Sequence, residues 1–273
     1  MQKTFNLLDI DLDFFVNEIF FDARTDSTVR VTGESYQPWS IDQTIDFLEH
    51  HCLLNPKQKI KGAYFVHHHS VFDYLREIVL EHKNDDVQFN IDHIDGHADL
   101  GSGDEGYLYI CSELIHKPVK QRYYPQPHDH YQSLSPGNFL AYALACRWVK
   151  SLNYIIHPDK GNDVVSIHCK DYEDKSGFLQ LKGFSKTHLD EMNKIFDGLP
   201  YEKAFAVLKK QIPLFLEPQV PFKMIPYDDF FASDSYDYIC LTQSPAFTPK
   251  ASDELIPLIM KYIEIHTEIP LIP

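Results

Sequence analysis

In the run Asp95-Gly96-His97-Ala98-Asp99, two carboxylates and one imidazole stand at alternate positions after an apolar stretch. Carboxylate oxygen and imidazole nitrogen, with no thiolate, form a donor set for Mn²⁺, Fe²⁺ or Zn²⁺. The glycine allows a tight backbone turn, so that neighbouring side chains can converge. The same residues would otherwise make a solvated, polar turn at the entrance of a helix.

Asp9, Asp11 and Asp13 alternate with Ile10 and Leu12 in the run LLDIDLDFF. Strand period places all three carboxylates on one face. Burying ionised carboxylates is costly unless cations meet them. An exposed edge strand would also tolerate them, but Leu7, Leu8, Phe14 and Phe15 flank them with apolar surface. A third cluster, His67-His68-His69-Ser70, follows an apolar run and opens a helix. Within one such turn the rings point in different directions, so one or two of them reach a common ligand, and spacing alone leaves open which. His128 and His130 lie in a Pro- and Tyr-rich stretch and are weaker candidates, as proton shuttles.

Hydrophobic period and turn residues divide the chain into strands and helices around these clusters. Residues 4–15 form a buried strand, and Ser40 caps a helix. Residues 60–66 are a strand, 71–80 a helix, and 87–94 a strand that ends at the Asp95–Asp99 run. Residues 117–137 read as a long loop or lid, and 138–149 as a helix. Residues 163–169 read as a strand, 186–211 as largely helical, 212–235 as irregular, 237–242 as a last strand and 251–266 as a closing helix. Strands alternating with helices predict an α/β fold with a mainly parallel sheet, in one domain spanning 1–273. In such sheets ligands bind beyond the carboxyl ends of the strands. All three polar clusters fall at or near such ends.

Composition narrows the function. The 273 residues carry 25 basic and 40 acidic side chains, a net charge of −15. That disfavours nucleic acid, whose binders present basic surface. An acidic surface suits a basic partner. Five cysteines with no C-x-x-C spacing read as free buried thiols of a reducing, cytoplasmic setting. No stretch approaches a membrane span, and the interrupted N-terminal run is no signal peptide. A homo-oligomer is compatible with these features. There is no G-x-S-x-G, P-loop or Rossmann glycine pattern.

Together the three clusters resemble the ureohydrolases, such as arginase and agmatinase. They are closer still to the UPF0489 family, some of whose members are peptide arginases. The ureohydrolase pattern D-A-H-x-D is met by Asp95, His97 and Asp99, with Gly96 for alanine. S-x-D-x-D is met by Asp9, Asp11 and Asp13, with Asp9 in the serine place. The single histidine of the family falls on His68 or His69, depending on which flank is aligned. His68 keeps the apolar spacing of the following helix and is preferred.

The resemblance implies a three-layer, arginase- or deacetylase-like fold with helices on both sheet faces. The motif order is permuted, since the D-x-D strand comes first here. It implies two divalent ions, expected to be Mn²⁺, held by Asp11, Asp13, His68, Asp95, His97 and Asp99. Asp11 and Asp95 would bridge the ions, with His97 and Asp99 as the catalytic residues. The implied substrate is an arginine-containing peptide, which loses urea to give ornithine. Asp9, His69 and Asn138 would contact the substrate, and the loop at 117–138, with Tyr123, Tyr124 and Tyr131, would hold its backbone.

Two departures stand out besides the order. The late segment Ile239 to Pro249 carries no acid to grip a guanidinium, leaving Asp104 and Glu105 as the acids nearest the metal motif. Leu140 stands where the family has a shuttle histidine. A deacetylase-like amide hydrolase and an inactive metal- and peptide-binding protein are the alternatives.

Overall fold

A computed structural model describes residues 2–21, 29–101, 106–159, 161–173, 176–196 and 199–266. Asp104 and Glu105 lie outside the described residues. In chain order the elements are β1 (Gln2–Asp11), α1 (Ile41–Asp46), β2 (Ile60–Phe65), α2 (Ser70–Glu81), β3 (Asp86–Ile94), α3 (Tyr107–Tyr109), α4 (Phe139–Ala145), β4 (Val149–Ile156), β5 (Phe178–Leu179), β6 (Lys182–Gly183), α5 (Lys186–Phe196), α6 (Tyr201–Leu208), β7 (Phe215–Leu216), β8 (Val220–Pro226), β9 (Tyr238–Thr242), α7 (Ile256–Ile259) and β10 (Ile263–Ile265). The fold is α/β with a mostly parallel eight-stranded sheet. The chain forms two compact units, one from Met1–Ala98, Lys150–Asp163 and Met224–Pro273, the other from Asp99–Val149 and Val164–Lys223.

In the first unit the strand order is β10-β2-β9-β1-β3-β4. β1 pairs in parallel with β3 on one side and β9 on the other, and β9 pairs in parallel with β2. Leu8 and Ile10 of β1 join a buried cluster with Phe14, Phe47, Leu241 and Ile259. Leu7, Asp9 and Asp11, of opposite parity, are also buried. A central parallel strand is covered on both faces, which accounts for its near-continuous apolar run. α1 starts with a capping box in which Ser40 and Gln43 satisfy each other's backbone N–H. α2 buries Val71, Phe72, Leu75, Ile78 and Val79, the helical spacing of one apolar face.

The second unit is held from inside by Arg122. Its guanidinium donates to the carbonyls of Ile115, Lys117 and Ala145 and pairs with Glu217. That buried anchor ties down the start of the loop expected at 117–137, which contains two short 3-10 turns, Val119–Gln121 and His130–Gln132.

Several boundaries differ from the sequence expectations. β1 ends at Asp11 rather than at residue 15, because the Asp11 carboxylate accepts the Asp13 N–H and starts a 3-10 turn, Leu12–Phe15. The helix expected over 138–149 stops at Ala145, and β4 follows; its polar residues reach polar partners on β3, Ser151 to Asn90 and Asn153 to Asp92. The strand expected over 163–169 is instead extended chain with a 3-10 turn, Ser166–His168. The stretch read as irregular, 212–235, contains β7 and β8. The closing helix is a succession of 3-10 and α turns that runs into β10. All five cysteines are buried, and none is in a disulfide.

Candidate metal centre

The parallel register brings the first two clusters together. Asp9 of β1 lies opposite His93 of β3 and Cys240 of β9. Past Asp11 the 3-10 turn carries Asp13 over the end of the sheet, where β3 delivers Asp95 and the chain turns through Gly96 and His97. The turn after β2 supplies His68. Every one of these groups therefore sits at the carboxyl end of a parallel strand, where such sheets bind ligands.

His68 is buried and faces acids on both sides. Its Nε2 lies 3.2 Å from both oxygens of Asp9, while its Nδ1 lies 3.0 Å from Oδ2 of Asp11 and 3.0 Å from Oδ2 of Asp95. With Nε2–H donating to Asp9, a neutral ring directs its Nδ1 lone pair at two carboxylates. His97 repeats the arrangement. Its Nε2 donates to the Phe20 carbonyl at 3.0 Å, and its Nδ1 lies 2.9 Å from Asp13 and 3.6 Å from Asp95. Lone pairs and carboxylates aimed at one another repel unless protons or a cation stand between them.

The charge balance points the same way. Among the described residues, every ion-pair partner of Asp9, Asp11, Asp13 and Asp95 is a histidine. Buried carboxylates cost several kcal/mol each when uncompensated, about the scale at which a protein recruits a cation or a proton. Burial, then the Asp11 and Asp95 charges, push the Asp13 carboxyl well above its ordinary range. Burial opposes ionisation of Asp95 too, but His68 and His97 outweigh it and hold Asp95 well below. Burial would lower His97, yet Asp13 and Asp95 lift it well above its usual value. Oδ2 of Asp95 makes no hydrogen bond despite being buried. Two groups, Asp11–His68–Asp95 and Asp13–Asp95–His97, each bring their ligand atoms within 4.8 Å of one another. These side chains fit a divalent cation in donor type, burial and orientation, and Asp95 belongs to both groups.

Backbone and neighbouring side chains fix the acids. Asp13 accepts the Gly96 N–H and Asp95 the His97 N–H. A Cβ on Gly96 would meet Ile19 Cγ2 at 3.0 Å and Asp13 Oδ1 at 3.3 Å. The residue is thus glycine for close approach, not for a left-handed backbone. Asp163 accepts the Ala98 N–H at 2.6 Å. Ser244, in a left-handed conformation (φ 44°), donates its hydroxyl to Asp11.

Of the residues named from sequence, Asp11, Asp13, His68, Asp95 and His97 converge. Asp9 joins them through two histidines, since it also lies 2.8 Å from Nδ1 of His93. Asp99 is buried at the start of the second unit, with φ 50° and its carbonyl accepting from Leu140. His69, considered for substrate contact, lies at the head of α2 with its ring nearly parallel to His67 at 5.8 Å. Asn138 is wholly buried, and its amide accepts from the Ser135 N–H and donates to the Ser133 carbonyl. Its side chain braces the loop rather than offering a free contact. Sequence reasoning missed His93, Asp163 and Ser244. His93 stands two residues before Asp95, on the parity that faces Asp9, and strand period could have found it; Asp163 and Ser244 left no local signal.

Comparison with family models, with curated proteins and with solved structures returned no match. Among the described residues, no helix is long and apolar enough to cross a membrane.

Proposed function

We propose that this chain is a divalent-metal-dependent hydrolase that removes urea from arginine side chains of a peptide and leaves ornithine. One observation carries the reading: His68 and His97 each turn Nδ1 toward two buried carboxylates, and Asp95 is common to both groups. The likeness of these motifs to the ureohydrolases supplies the substrate class, and the net charge of −15 suits a basic peptide.

Asp11, His68 and Asp95 would hold one ion, with Asp13, His97 and Asp95 around a second, and Mn²⁺ suits this oxygen-rich set. Such ions, when bound, supply Lewis acidity and make water a nucleophile near neutral pH. The chain itself does the rest. Asp9 and the Phe20 carbonyl keep the histidine protons on the far nitrogens, so Nδ1 stays available. Ser244 orients Asp11. Burial keeps bulk water away from the charges. The motif assigns Asp99 the proton transfer to the departing amine.

The test is mass spectrometry of an arginine-containing peptide incubated with the Mn²⁺-supplemented protein. Loss of about 42 Da per arginine, with urea in solution, is expected from removal of the guanidinium carbon. Acetate release from an acetyl-lysine peptide would instead mark an amide hydrolase. The second reading, a metal- and peptide-binding protein without turnover, is favoured by Leu140 and by the acid-free segment at 239–249. It would show bound metal and an unchanged peptide mass.

A further inference from the structure

A concavity lies within the first unit and shares no residue with the metal-ligand clusters. It encloses about 240 Å³ and is lined by Trp39, Phe47, Tyr227, His51, Gln43 and Asp46, among others. That volume is below the roughly 300–1,000 Å³ of pockets for drug-sized ligands, so it suits a head group rather than a whole molecule.

Its construction follows from the sequence. The capping box at Ser40 fixes where α1 begins. Gln43, Asp46 and Phe47 then fall at i, i+3 and i+4, one face of the helix. Trp39 stands nearly perpendicular to Phe47 (86°, centroids 6.1 Å apart) and to Tyr227 (74°, 5.7 Å). Tyr227 lies nearly parallel to His51 (17°, 5.7 Å). The rings therefore form walls meeting at a steep angle, with a carboxylate at the rim. Asp46 is exposed, and its ion partner is the exposed His50 at 3.6 Å. No lysine or arginine is among the lining residues. Lys3 over Phe5 and Lys182 over Tyr172 are cation–ring contacts elsewhere in the chain.

We infer that this pocket binds a guanidinium group, its plane against Trp39 or Tyr227 and its N–H groups toward Asp46. Aromatic faces attract organic cations through their quadrupoles. A planar guanidinium adds stacking and a fork that matches a carboxylate. An anion would meet Asp46 with like charge, and a neutral ring would leave that carboxylate unused. The inference stands on this cavity alone and is independent of the hydrolase reading.

The experiment follows the two tryptophan indole N–H signals of the ¹⁵N-labelled full chain. Trp148, buried elsewhere, is the internal control, and Trp39→Phe assigns the signals. The probes are N-acetyl-arginine amide, agmatine and the neutral isostere N-acetyl-citrulline amide. The arginine probe is expected to shift the Trp39 signal saturably, with Trp148 still. The citrulline probe should bind about tenfold more weakly, and Asp46→Asn should weaken the arginine probe by about the same factor. Asp46 is exposed, so this variant keeps the fold. Tighter binding of the arginine amide than of agmatine identifies a peptide side chain as the source. Equal binding identifies a free guanidine compound. A Trp39 signal that does not move, or citrulline binding equal to arginine, overturns the inference.

Discussion

The carboxylate of Asp9 lies 3.2 Å from Nε2 of His68, on the side of the ring away from Asp11 and Asp95. A carboxylate in that place fixes the tautomer and raises the basicity of the opposite nitrogen. Removing such a partner costs about 10–100-fold in metal affinity. Asp9→Asn is therefore expected to weaken Mn²⁺ binding by that factor, read by isothermal titration calorimetry. An unchanged affinity would mean that His68 is oriented without Asp9.

A methyl group on Gly96 would be crowded, with Ile19 and Asp13 at 3.0 and 3.3 Å from where it would sit. Gly96→Ala should destabilise the fold by about 1–3 kcal/mol, the usual cost of overpacking. Because Asp13 is one of the displaced neighbours, the variant should also lose Mn²⁺ affinity. Urea unfolding and metal titration on the same sample measure both; wild-type values in both would refute the close-approach argument.

Glu217 gives an acid dependence of known sign. Burial alone would raise its pKa, but Arg147 at 2.7 Å and Arg122 at 3.1 Å outweigh it and hold the carboxyl below its ordinary 4.5. Above 4.5 the ion pair contributes fully. As pH falls further the unfolded chain takes up the proton first, and the stabilisation is lost through the folded-state pKa. Glu217→Gln should cost about 3 kcal/mol near neutral pH, with the gap to wild type narrowing in acid. A gap that widened in acid would contradict the sign.

Much of the centre was legible because strand period and short motifs carry it. Asp9 and Asp11 share a face as β1 requires, and Asp95, His97 and His68 follow strand ends. Asp13 reached the site by another route, a 3-10 turn capped by Asp11, which an alternating pattern cannot distinguish from a continued strand. β4 was lost because the alanine-rich run before it extends a helical pattern to Val149, and its polar residues answer partners on β3 that are distant in sequence. Ser244 and Asp163 are set by tertiary contacts alone. Asn138, expected to contact substrate, is held by the backbone of Ser133 and Ser135, partners that no local pattern announces.

Asp11, Asp13, His68, Asp95 and His97 should together retain divalent metal. Elemental analysis of the protein after Mn²⁺ loading and removal of excess metal measures this, with Asp95→Ala alongside because Asp95 is common to both ligand groups. Up to two Mn²⁺ per chain are expected in the wild type, with loss of bound metal in the variant. Wild-type protein that retains no metal, or an Asp95→Ala variant that retains as much as wild type, would contradict this expectation.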